Sequence, residues 1–196
     1  MRRSIIVVKK VIMLSWLSKK VEEWARPADE TAHNIYAVIA AGARNPHFYD
    51  RFGVADTLDG RFDTLTLMVV LAVRRLADAG DAGKMLGQGV VDTMFADMDL
   101  SLHEIGVSEN KVGKKVKQMA TAYMGRMEAY GAAFAASDAA MLADVLNRNL
   151  YRDDGTDAAV NGLAAAVLAE EARLAALDDA VVLSAGGMDI NLTEQE

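Results

Sequence analysis

Cysteine is absent from this 196-residue chain. Disulfides, thiolate nucleophiles and cysteine-ligated zinc or iron-sulfur centres are thereby excluded, and the chain is indifferent to the redox state of its compartment. Proline occurs only as Pro27 and Pro46, and aromatic residues make up 6% of the sequence. Strand-like alternation of Val, Ile, Thr and Tyr is hard to find, whereas Ala, Leu, Val and Met supply most of a 52% hydrophobic content. Such residues mostly lose little side-chain freedom in a helix. The expected fold is therefore all-α: a single bundle-like domain of about six or seven helices, with an amphipathic helix attached at the amino terminus. A charged fraction of 25% beside that apolar content excludes wholesale disorder.

An excess of positive charge is missing too. A net charge of −7 and a pI near 5.0 exclude general affinity for nucleic acid, so DNA is not an expected partner. The sign is uneven along the chain. Residues 1–26 carry seven Lys/Arg against two Glu, and the remainder carries fourteen Lys/Arg against twenty-six Asp/Glu.

Within the amino-terminal stretch, Arg2 and Arg3 precede an Ile/Val run that Lys9 and Lys10 interrupt. No small-x-small cleavage site follows, so an export signal is not expected, and the same lysines break any membrane span. A start at Met13 would make residues 1–12 an upstream extension. From there Leu14, Leu17, Val21 and Trp24 share one helical face, which suits either packing on the body or, with Trp16 and the lysines, an interfacial helix on anionic lipid. Residues 1–27 are read as this basic amphipathic segment, 28–183 as the helical domain and 184–196 as a flexible tail.

Asp29 can cap a helix over about 30–43, which Asn45-Pro46 ends. A loop through Asp59-Gly60 leads to a helix over about 61–79. Its stripe of Phe62, Leu65, Val69, Ala72, Val73 and Leu76 is joined by Leu67, Met68, Val70 and Leu71 in most other directions, as in the centre of a bundle. Gly80 and Gly83 are read as closing it. A helix over 84–105 follows and ends at Gly106. In the next helix Val112, Val116, Met119, Tyr123, Met127, Tyr130 and Phe134 recur at three and four residues, an apolar face expected against the Leu65-to-Leu76 helix. Ser137-Asp138 caps a further helix, and an alanine-rich one covers about 158–176.

Two segments carry a resemblance. FYDRFGVADTLDGRFDTLTLMVVLAVRRL holds Phe48-Tyr49, a Gly53-to-Thr57 turn, Asp59 to Asp63, and a leucine-rich helix ending Arg75-Leu76. LHEIGVSENKVGKKVKQMATAYMGR adds a second spaced set. Together they resemble the ubiquinol-cytochrome c chaperone family over roughly residues 30–175. The departures are Ala55 and Gly113 at proline positions, Met68 at a leucine-histidine pair, His103 at an arginine, and Ser108-Glu109 at Gly-Asp. The resemblance implies a non-enzymatic assembly chaperone that holds newly made cytochrome b for ubiquinol-cytochrome c reductase (complex III), membrane-proximal and near the ribosome exit, often with a small partner protein. The expected location is the cytoplasm, peripheral on the inner face of the cytoplasmic membrane, with contact through residues 13–24 where these form the interfacial helix.

Candidate residues fall into two groups. Lys111, Lys114, Lys115, Lys117 and Arg126 flank the long apolar stripe. They form either a solvated shoulder or a docking patch for an acidic partner or ribosomal RNA, with Tyr123 and Met127 toward a client in a Met- and aromatic-lined groove. Tyr49, Asp59, Arg61, Asp63 and Glu104 belong to the family motifs. Of these, Arg61, Asp63 and Glu104, together with Arg126, suit an internal ion-pair network or a polar rim around the groove. His33, His47 and His103 lack metal-ligand spacing, Asp97 and Asp99 lack further oxygen ligands, and no cofactor is expected. The rival reading is an α-helical enzyme or binding protein for a polyprenyl or quinone-like ligand, for which Glu104 and His103 are weak acid–base candidates.

Overall fold

The computed structural model describes residues 30–184, 188–190 and 192. The segment 1–27, its boundary with the helical domain and the membrane contact expected of residues 13–24 lie outside the described residues. The described residues form α1 (Glu30–Ala43), α2 (His47–Asp50), α3 (Leu58–Asp78), α4 (Gly80–Glu104), α5 (Glu109–Ala136), α6 (Ala139–Leu146), α7 (Asp157–Ala175) and α8 (Asp179–Val182), with a π-helical turn (Asn147–Tyr151) continuing α6. The fold is all-α, and six of these helices have eight residues or more. No described helix is long and apolar enough to cross a membrane.

α3 is the centre. Every residue from Phe62 to Ala72 is buried, so the helix has no solvent face over three turns. α1, α4, α5, α7 and the π-helical turn all pack on it. Its amino end begins three residues earlier than the apolar pattern suggests, because the Thr57 side chain accepts a hydrogen bond from Gly60 N at 3.1 Å and caps it. At its other end Arg75 is buried and donates to Leu174 O (2.8 Å) and Leu177 O (2.6 Å), carbonyls at and beyond the end of α7, and pairs with Asp179 (2.7 Å). Those carbonyls belong to a helix terminus that needs outside donors.

Several boundaries differ from the sequence reading, each for a local reason. Gly83 does not close α3: it sits in the first turn of α4, where a Cβ would lie 1.9 Å from Leu76 O. α3 and α4 are joined through Ala79 alone, and the glycine is what lets them fold back so tightly. α5 starts at Glu109 without a side-chain cap, since the Ser108 hydroxyl donates to Asn110 instead. Asp138 caps α6 as expected, accepting from Ala140 N and Met141 N.

Within the segment read as a tail, 184–196, only residues 184, 188–190 and 192 are described. Met188, Ile190 and Leu192 are buried, and Arg173 donates to the Asp189 carbonyl. These three apolar residues, at a spacing of two, find cover on the body, where Ile190 O lies beside Gly42 of α1. Gly83→Ala should lower the thermal midpoint by the equivalent of about 1–3 kcal/mol, because backbone atoms must shift. Gly125→Ala, at an exposed α5 position with open space around it, should raise it by up to about 1 kcal/mol.

Candidate functional site

α5 presents two different flanks. On one, Ala120, Tyr123, Met124 and Met127 follow the three-and-four spacing and face Val73 and Ala77 of α3 and Gly87, Val91 and Phe95 of α4 across a groove of about 250 Å³. Small residues keep it open: Ala77, Gly87 and Ala120 stand where larger side chains would fill it. A Cβ at Gly87 would already be 3.5 Å from Val73 Cγ1. The Tyr123 ring meets Phe95 edge-on, centroids 5.8 Å apart, which fixes the floor. Burial pushes the Tyr123 phenol up, so it stays protonated, and its hydroxyl has no hydrogen-bond partner among the described residues. Val91, Met124 and Met127 are half-buried and give the groove an accessible apolar face; Lys84, Gln88 and Asp92 form its polar edge. Tyr123 and Met127, proposed from the sequence, are both here.

The other flank is polar. Asp63 is 1% exposed, and its Oδ1 lies 2.6 Å from Arg126 Nη2, while Arg152 Nη2 donates to its Oδ2 at 3.0 Å. The Arg126 contact is an ion pair off the line of a hydrogen bond, which leaves Asp63 Oδ1 and Arg126 Nε unsatisfied in that respect. Arg152 also approaches Asp59 at 3.6 Å, and the Arg126 guanidinium lies over the Phe62 ring. Leu58, Leu102, Lys115, Gln118 and Met119 line the same cleft. Burial pushes the Asp63 carboxyl up to about 6, against the lowering pull of Arg126 and Arg152 and with a small push from Asp59.

Of the expected polar network, then, Asp59, Asp63 and Arg126 come together and three residues do not. Arg61 is exposed and pairs with Asp56 at 2.6 Å. Tyr49 is half-buried and donates to Ala43 O at 3.4 Å. Glu104 is exposed in the last turn of α4. Arg126 also leaves the cationic shoulder: it is 9% exposed and committed to Asp63. Lys111, Lys114, Lys115 and Lys117 are exposed, with Lys114 and Lys117 on one shallow surface beside Thr121. Arg152 was missed. It follows the π-helical turn in the left-handed region (φ 56°), a reach that helical periodicity does not reveal.

The acid–base pair required by the enzyme reading is not in the interior, since His103 is exposed like Glu104 and faces Asp99 at 3.6 Å. Asp97 accepts a hydrogen bond from the Tyr36 hydroxyl, which ties α1 to α4. Among the described residues no group of three His, Asp or Glu is placed to hold a metal ion.

The described residues form an all-α body with a Met- and aromatic-lined groove open at one side and a buried charged pair used for packing. The family follows from comparison. The ubiquinol-cytochrome C chaperone model matches residues 50–188, and the chain belongs to that family, whose members are chaperones for ubiquinol-cytochrome c reductase, respiratory complex III. A solved structure described as the Cbp3 homolog from Brucella abortus is similar at 34% identity and a TM-score of 0.74, covering 93% of this chain and 97% of that one. No curated protein matches the sequence.

The polar flank yields a pH prediction. Because the folded Asp63 value lies above that of an unfolded carboxylate, the native state holds a proton that the unfolded chain releases between about pH 4 and pH 6. Asp63 therefore contributes less stability as pH rises through that window. Arg126→Met should push the carboxyl higher and cost about 3–5 kcal/mol at pH 8, with a smaller loss at pH 5. Adding Asp63→Asn should recover much of the loss and flatten its pH dependence, measured by urea denaturation at both pH values.

Proposed function

We propose that this chain is a non-enzymatic assembly chaperone that holds newly made cytochrome b, and that an apolar segment of the client lies in the groove between α3, α4 and α5. The observation that carries this reading is the chemistry of the groove. It is lined by apolar side chains, two of them flexible methionines that are half-buried before any client arrives. Methionine adapts its shape to different apolar partners, and a helix face laid into such a groove is a recurrent mode of recognition. Family membership supports the class of client, a subunit of complex III.

The exposed lysines of α5 supply a second surface. Lys114 and Lys117 lie beyond the groove, with Lys115 at the mouth of the polar cleft. We assign them to an acidic partner, either the ribosome or a small protein that works with the chaperone. We assign the protein to the cytoplasm, peripheral at the inner face of the cytoplasmic membrane, with contact through residues 13–24. That location suits a factor that receives a membrane subunit as it is made.

Each methionine contributes apolar burial on the order of 1.5–3 kcal/mol when covered. Met124→Asp or Met127→Asp should accordingly weaken co-purification of cytochrome b from solubilised membranes by roughly tenfold or more, with circular dichroism unchanged. Undiminished capture by a folded Met124→Asp, Met127→Asp double variant would exclude the groove. Reversing Lys114, Lys115 and Lys117 to Glu should reduce association with the ribosome or client at physiological salt and leave the thermal midpoint within about 0.5 kcal/mol of the parent, as for surface substitutions generally.

A further inference from the structure

We infer that residues 13–24 of this chain occupy the apolar groove in the absence of both client and membrane, and that a client enters by displacing them, which frees the segment for membrane contact. The inference rests on the groove being the client site. The described residues leave the groove open on one side, with Val91, Met124 and Met127 half-buried around it. An apolar face of this kind, left to water, favours any matching segment held nearby.

The amino-terminal segment is held nearby. α1 begins at Glu30, and Ala32 in its first turn packs on Gly89 of α4, where a Cβ would be only 2.8 Å from the Ala32 Cβ. Gly89 is flanked on the same helix by Gln88 and Asp92, two of the polar residues at the groove edge. The five residues between Trp24 and Glu30 can span about 20 Å when extended. A helix with its side chains is about 10–12 Å across. The segment can therefore pass around α4 and reach its opposite flank, where the groove lies.

Sequence and charge fit the same occupant. Leu14, Leu17, Val21 and Trp24 repeat at three and four residues, the spacing by which Ala120, Tyr123 and Met127 line the groove on α5. Trp24 and the groove methionines are suited to sulfur–aromatic contact. The segment 1–26, with seven Lys/Arg against two Glu, is attached to a body with fourteen against twenty-six, so the long-range field draws it onto the domain. At a fixed tether length the effective concentration of such a segment is high, and its contact with the groove can be weak yet populated.

Trp16 and Trp24 are the chain's two tryptophans, so tryptophan emission reports on this segment alone. The full-length protein should show blue-shifted emission protected from acrylamide. Both features should be lost in the Met124→Asp, Met127→Asp double variant and retained when Ala165→Asp is placed on α7. Should the double variant not fold, Gly87→Leu, which fills the groove with apolar atoms, should expose the tryptophans in its place. A leucine-rich amphipathic peptide of zero net charge serves as client probe. Leu17→Glu with Val21→Glu should raise its affinity about tenfold, as expected when the free groove is about one-tenth populated in the parent.

Water-exposed tryptophan in the parent overturns the inference. So does protection that survives both groove variants, which would seat the segment elsewhere, or protection that appears only with anionic vesicles, which would make it a lipid-binding helix. Groove-dependent protection with no peptide binding to either protein supports self-occupancy and removes the client reading alone.

Discussion

A helix with no face left for water must be surrounded, and α3 imposes that constraint on the rest of the chain. Its buried run from Phe62 to Ala72 requires cover on all sides, which α1, α4, α5, α7 and the π-helical turn supply. Apolar burial is non-directional and would tolerate several arrangements. Direction comes from the two charges that α3 carries into the interior. Asp63 near one end holds Arg126 of α5 and Arg152 beyond α6, and Arg75 at the other end holds the carbonyls that close α7. Each charge is costly to bury and costlier to leave alone, so each fixes one arrangement of elements that are far apart in sequence.

The groove is a consequence of how α3, α4 and α5 meet. Where these helices converge, Ala77, Gly87 and Ala120 are small, and the space they leave is lined by Phe95, Tyr123, Met124 and Met127. α5 thus has a division of labour around its axis. One flank is locked by Arg126 to the core, with Lys115 at the mouth of its cleft, the other holds an apolar surface that is only partly covered, and Lys114 and Lys117 stand outside both. A chaperone of ubiquinol-cytochrome c reductase has to keep an apolar client from aggregating without binding it permanently. On the reading proposed above, a methionine-lined groove on a charge-pinned scaffold would meet both demands, with the scaffold fixed and the contact surface adaptable.

Much of this was legible in the sequence where the pattern was long. The all-round apolar run of α3 and the three-and-four spacing of α5 required helices, and Tyr123 and Met127 followed from the second pattern. Asp63 was singled out as a family-motif carboxylate beside an apolar stripe, a signal that Arg61 and Glu104 shared without being buried. Gly83 was misread because a local rule treats glycine as a terminator, whereas here it admits the Leu76 carbonyl of the preceding helix. Glu104 was misplaced for a related reason. Its neighbour Ile105 read as apolar and inward, but Ile105 is 60% exposed, and in the last turn of α4 only the face of Leu102 is buried. Arg152 could not be read at all, since a π-helical turn breaks the 3.6-residue period just before it and a left-handed residue then redirects the chain. The buried Met188, Ile190 and Leu192 had no local signal stronger than the two glycines beside them.

The central claim is that the client lies in the groove of α3, α4 and α5, and site-specific photocrosslinking addresses it directly. A photoreactive amino acid would be placed at position 124 in the groove, at 117 on the lysine surface and at 165 on α7, each in the full chain within cells making cytochrome b. The account predicts crosslinks to newly made cytochrome b from position 124 that fade as the subunit matures, and none from position 165. Crosslinks to cytochrome b from 165 and not from 124 would contradict it.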